Sequence, residues 1–204
     1  MTNMTKLLSA IAAAVTLALC APAYAQKQAV KFPKGLKWKA MPYAAFNAPA
    51  YSENTSSPEL RKEAETIWSK ELDALPTSSF NKFVNGEPVD EMETRKYPAF
   101  VLIEKHESND AVHVFSIMDS GGYDGCIIDK EYASCTLRVV TKNKKTGKTH
   151  QRDYPKFCAI PFFEEGEEDS RTEFAIDQKS QTVYFRTISL GDVAPECNRS
   201  LRLQ

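Results

Sequence analysis

The chain has 204 residues, 42% of them hydrophobic, with 26 Lys and Arg against 27 Asp and Glu and a calculated pI near 6.3. That balance argues against a protein devoted to nucleic acid, which needs a concentrated cationic surface. With 26% charged and 10% aromatic residues, the chain is neither disordered nor collagen-like.

Residues 1–25 read as a secretory signal peptide. Lys6 precedes an apolar run from Leu7 to Cys20 that is too short for a spanning helix of roughly 20 residues, and Ala23-Tyr24-Ala25 matches the small-residue cleavage pattern. Cleavage between Ala25 and Gln26 would deliver a mature chain without a transmembrane segment to the periplasm of a Gram-negative bacterium, or outside the cell. Leu17-Ala18-Leu19-Cys20 resembles a lipobox, so a lipoprotein anchored through Cys20 is the competing form. The Ala-Tyr-Ala site is the better match, because Leu19 is larger than that box prefers.

Residues 26–57 are expected to form an extended arm, rich in Pro33, Pro42 and Pro49, with Trp38, Tyr43, Phe46 and Tyr51 anchoring it on a single domain of residues 58–204. A helix follows. Ser56-Ser57-Pro58-Glu59 carries a capping-box spacing and a proline suited to the first turn, and Leu60, Ala64, Ile67, Trp68, Leu72 and Leu75 recur at helical intervals until Pro76. The opposite face is charged, so the stripe predicts packing on a sheet.

From Pro98 the pattern is strand-like, with runs at 100–104, 112–118, 126–128, 135–141, 149–154, 157–163, 173–177 and 182–188. Polar segments of hairpin length separate several of them, at 107–110, 144–147 and 177–180. The fold class expected is therefore α+β: an antiparallel β-meander of about six to eight strands, curled or partly closed, with one main N-terminal amphipathic helix packed on it.

Loss of Cys20 with the signal leaves Cys126, Cys135, Cys158 and Cys197, an even set in an oxidising compartment. Three pairings are possible. Cys126 and Cys135 lie in adjacent strand-like runs and favour one another across a hairpin, which leaves Cys158 for Cys197. No CxxC or HxxxH spacing supports a metal site, and no nucleotide loop or GxSxG elbow occurs, so no metal and no cofactor are expected.

Two loops are candidates for contact with a protein partner. The first, Asp119 to Gly125, concentrates glycines and presents Ser120, Gly121, Tyr123 and Asp124. Its Ser120-Gly121-Gly122-Tyr123 is similar to the SGxY motif of periplasmic lysozyme inhibitors, in which a loop enters the enzyme's substrate cleft. That resemblance covers four residues and implies an inhibitory loop. The second is acidic: Glu164, Glu165, Glu167, Glu168 and Asp169 would steer toward a basic enzyme. A third feature, the basic hairpin tip of Lys142, Lys144, Lys145, Lys148 and Arg152, is explained by edge protection or by an anionic envelope polymer.

The reading that results is a non-enzymatic exported binding protein of the inhibitor or immunity type, aimed at an enzyme such as a lysozyme or a peptidoglycan-degrading toxin. The alternative is an envelope assembly or accessory subunit using the arm. Last comes a small hydrolase using His113 with Asp119 or Asp124. His113 lies inside an apolar strand, where a hydrogen-bonded structural histidine is the expectation.

Overall fold

A computed structural model describes residues 30–48, 55–84, 87–121, 126–129, 132–160 and 170–203. Residues 1–25 with Cys20, expected to be a signal peptide, Tyr51, and the loop residues Tyr123, Asp124, Glu164, Glu165, Glu167 and Glu168 lie outside the described residues. What is described is mostly antiparallel β-sheet with few helices and two disulfides.

Three layers stack. In the middle is a six-stranded sheet of β2 (Tyr43–Phe46), β5 (Ala99–Glu107), β6 (Ala111–Asp119), β8 (Tyr132–Asn143), β9 (Thr149–Ala159) and β7 (Ile127–Asp129). The order runs β2-β5-β6-β8, and β8 then pairs with both β7 and β9. Its two central strands are apolar on both faces: residues 99–103 are buried without interruption, as are 113–118. A strand so composed needs cover above and below.

Cover on one side is a second sheet, in which β10 (Arg171–Asp177) and β11 (Thr182–Ser189) are flanked by β1 (Lys39–Ala40), β12 (Asp192–Val193) and β13 (Arg199–Arg202). Phe115, Leu137 and Phe157 of the middle sheet meet Phe174, Val183 and Phe185 of the second in one core. Phe157 and Phe185 stack edge to face with centroids 5.3 Å apart. The expected single curled meander is thus divided between two packed sheets, and the chain changes sheet between β9 and β10.

Helices cover the other side. The apolar stripe packs as its spacing predicts, since Ala64, Trp68, Leu72 and Leu75 join Ala44, Val101, Ile103, Val114 and Met118 in a second core. Where one helix was expected there are two, α1 (Pro58–Ile67) and α2 (Ser69–Ala74), broken at Trp68. Ser57 caps α1 by accepting the Leu60 N–H at 3.3 Å.

At the break stands Arg138 of β8. Its guanidinium donates to the Ile67 carbonyl at 3.0 Å and to Glu71 and Asp153 at 2.9 Å each, and lies 4.0 Å from the Trp68 ring centroid. Trp68 in turn donates its indole N–H to Ser116 Oγ at 3.1 Å. Burial opposes a charge on Arg138, but the bonds to Asp153 and Glu71 outweigh it and raise its pKa. One side chain thereby ties the helical layer to the sheet.

The arm is more integrated than an extended segment would be. It supplies β1 to the second sheet and β2 to the first, with Ala44, Ala45 and Phe46 buried. Phe32 and Trp38 pack against the second sheet, where Arg186 lies 4.2 Å over the Trp38 ring and Phe32 contacts Tyr184. Proline-spaced short strands carry too few residues for a periodic signal, so the pairing was invisible in sequence.

Between α2 and β5 stands a feature the strand patterns did not suggest: a hairpin of β3 (Thr77–Val84) and β4 (Glu87–Lys96) that forms a two-stranded sheet of its own. Most of its residues are exposed, so apolar alternation is missing from its sequence. Asn85-Gly86, a two-residue hairpin signal between the strands, was the available clue.

Candidate functional site

Strand register brings three separate features to one end of the middle sheet. Asp119, the last residue of β6, pairs with Phe100 at the start of β5, so the β3–β4 ribbon enters the sheet beside the point where the glycine-rich segment leaves it. Ala133 at the start of β8 pairs with Ala159 at the end of β9, so the acidic segment leaves from this same end.

Each segment has its feet fixed. At the first, Asp119 accepts the Gly121 N–H at 3.0 Å, and Gly121 takes φ +64°, a conformation costly to residues with a Cβ. Five residues later Cys126 is bonded to Cys135 of β8, with 4.3 Å between Cα atoms. At the second, the Ile160 N–H donates to Thr172 Oγ1 at 2.9 Å, joining the end of β9 to β10. Cys158 of β9 is bonded to Cys197, which ends the 3₁₀ turn Pro195–Cys197 ahead of β13, so this bridge ties β9 to the segment between two strands of the second sheet. Ser170, at the far foot, is buried and accepts the Leu190 N–H at 2.9 Å.

Of the partner-facing residues expected from sequence, Ser120 and Gly121 are described. Gly121 is exposed, with open space around the position a Cβ would occupy. Ser120 points inward: it is 2% exposed, and its hydroxyl has no hydrogen-bond partner among the described residues. Presentation of the Ser120 side chain was the expectation, and burial beneath the turn replaces it.

The carboxylate of Asp119 and the sulfur atoms of Cys126 and Cys135 lie within 4.8 Å of one another. They do not make a metal site, because a metal requires thiolates and both sulfurs are committed to the disulfide.

His113 sits toward the opposite end of β6. Six residues of extended chain, roughly 20 Å, separate it from Asp119, which takes that pair out of hydrogen-bond reach. Instead His113 Nδ1 lies 3.0 Å from Thr141 Oγ1, and the ring stacks near His106 with centroids 6.4 Å apart. Burial, and then the neighbouring His106, hold its pKa below the ordinary 6.5.

That opposite end is basic. Lys144 pairs with Glu107 at 3.2 Å and Lys145 with Asp110 at 3.1 Å, which settles the turn after β8 against the turn after β5. On the ribbon Glu87, Asp90 and Glu91 are exposed, and Lys82 pairs with Glu91 at 2.8 Å.

Among the described residues no helix is long and apolar enough to cross a membrane. The two disulfides suggest an oxidising extracellular or periplasmic environment. Comparison with protein-family models, with curated proteins and with solved structures finds no match.

Proposed function

We propose that the chain is an exported, non-enzymatic binding protein of the inhibitor or immunity type, directed at a basic enzyme such as a lysozyme or a peptidoglycan-degrading toxin. One observation carries the reading. The segments expected to contact a partner, 120–125 and 160–169, leave the same end of one sheet, and a disulfide stands at the foot of each. Anchored feet lower the ordering cost of binding, which is how a loop acquires affinity without a large interface. The signal segment and the oxidising environment are consistent with a target met outside the cytoplasm.

In this reading Tyr123 supplies the anchor, with Gly121 and Asp124 beside it, and Glu164, Glu165, Glu167 and Glu168 supply attraction to a basic cleft. The test is a titration of the disulfide-bonded chain from Gln26 into lysozymes and peptidoglycan hydrolases of different classes. Saturable inhibition of at least one is expected, and a panel that shows neither binding nor inhibition overturns the reading.

The exposed β3–β4 ribbon favours a second reading, an envelope assembly or accessory subunit. The arm is less suited to that role, because β1 and β2 belong to the two sheets. Replacing residues 79–94 by a short turn separates the readings: an assembly subunit loses its complex, whereas an inhibitor keeps its action.

A further inference from the structure

The three histidines of the chain, scattered in sequence, fall in one row across four strands. His106 of β5 pairs with His113 of β6, His113 with Thr141 of β8, and Thr141 with His150 of β9. Residues directly opposite one another in a sheet stand on the same face. We propose that the adjacent pair, His106 and His113, binds a divalent transition-metal ion of the zinc class through one ring nitrogen of each, with water completing the coordination. The site lies toward the lysine-rich end, away from the loop end, and is independent of the function proposed above.

The His113 ring is oriented by its neighbour on one side. Nδ1 lies 3.0 Å from Thr141 Oγ1, toward β8. In an imidazole Nε2 stands on the edge away from Nδ1, and β5 is the strand on that other side of β6, so Nε2 is turned toward His106. An Nδ1–H donated to the threonine hydroxyl leaves Nε2 with a bare lone pair, and ligating histidines have their second nitrogen held by an outer partner in this way. The two rings lie within 15° of parallel, with centroids 6.4 Å apart. With metal–nitrogen bonds near 2.1 Å, two imidazoles on one tetrahedral ion have centroids about 5 Å apart, so closure by about 1 Å through side-chain rotation completes the pair.

Burial holds the pKa of both rings below the ordinary 6.5, joined at His113 by the neighbouring His106, and the neutral imidazole that results is the ligating form. An ion has access to each ring. His106 lines a cavity between the β5–β6 turn and the β10–β11 turn, with Gln178 and Gln181, and His113 lines another between β8, β9 and β13. Two imidazole nitrogens select zinc, copper or nickel over magnesium or calcium, which require a shell of oxygen ligands.

Zinc chloride alone is the probe, with magnesium chloride as the control, titrated into the disulfide-bonded chain without an affinity tag and followed by NMR of the three imidazole rings. Zinc should shift the His106 and His113 signals together and saturably. His150 is exposed and two strands from His113, roughly 10 Å, so it serves as the bystander. His106→Gln should weaken zinc binding by about tenfold or more, whereas His150→Gln should leave it unchanged. Since His106 is only partly buried, an unchanged thermal midpoint will certify the fold of its variant. The proposal is overturned if zinc moves neither ring, if magnesium moves them equally, if His150→Gln weakens binding as much as His106→Gln, or if His106→Gln leaves the affinity as it was.

Discussion

At one end of the middle sheet, β6 leaves and β9 finishes beside two disulfides, a positive-φ glycine and an exposed ribbon; at the other, β8 turns into β9 through a short lysine-rich hairpin held by ion pairs. The first end has a disulfide at the foot of each of its two segments. The second is held by exposed Lys–carboxylate pairs, which solvent and salt screen. A covalent anchor is what a segment requires when it has few core contacts of its own and must still keep its geometry, whereas the tight turn at 144–148 is satisfied by its own backbone and by Asn143. The contrast teaches where the molecule invests constraint, and that is where partner contact is proposed.

Breaking the anchors should produce the largest effects. Replacing Cys158 and Cys197 by Ala opens a loop of sequence separation 39, while the Cys126–Cys135 bridge closes a separation of 9. On the chain-entropy model these are worth about 4 and about 2.7 kcal/mol, so urea denaturation should rank the two double variants in that order. Equal losses would mean that the inter-sheet bridge adds nothing beyond the local one.

Next in size is the junction of helices and sheet. Arg138→Ala removes a side chain 11% exposed that satisfies two carboxylates and a helix carbonyl, and should cost about 3 kcal/mol. Arg138→Lys should recover only part of this, since an ammonium cannot reproduce the fork or the stacking on Trp68. If both variants unfold at the wild-type denaturant concentration, the Arg138 network is ornamental.

Protonation distinguishes the same regions. His113 has its pKa depressed in the folded chain, so the unfolded chain takes up protons first as the pH falls below 6.5, and stability declines from there toward the lower folded value. For Glu71, burial raises the pKa but the Arg138 bond outweighs it, and the net shift is downward from 4.5. Its contribution is present above 4.5 and is lost as pH falls through the lower folded value. Denaturation midpoints across pH should therefore decline in two stages, with His113→Gln removing much of the first and leaving the second. A midpoint constant from pH 7 to 5 would contradict the burial argument for His113.

The smallest effect belongs to the turn. Gly121→Ala forces a Cβ into φ +64° and should cost about 1 kcal/mol, although space around the position is open. The strain is conformational, so Gly121→Asn should be milder.

How much of this was legible in the sequence depended on burial. The stripe from Leu60 to Leu75 and the runs from Phe100 onward were readable because one face or both faces enter a core. Trp68 could not reveal the helix break, since the side chain that bonds there, Arg138, lies seventy residues away and in another layer. β3 and β4 escaped because a ribbon with few buried side chains leaves no alternation, and β1 and β2 because two to four residues carry no period. For the candidate site, the sequence marked the glycine-rich and acidic segments separately. Their arrival at a common end is a matter of strand register, which long-range pairing decides. Ser120 was misjudged on composition: a serine beside glycines reads as exposed, yet the turn at Gly121 directs it inward.

The central claim is that the loop end, braced by its disulfides, is where an enzyme is bound. Its most direct measurement is inhibition of the best-bound lysozyme or peptidoglycan hydrolase by the wild-type chain, by Tyr123→Ala, and by the charge-reversed basic end Lys144→Glu/Lys145→Glu. The account predicts about a 30-fold weaker inhibition constant for Tyr123→Ala, as for an interface hot spot, and little change for the basic-end variant. Inhibition untouched by Tyr123→Ala but abolished at the lysines would place the contact at the other end and contradict the account.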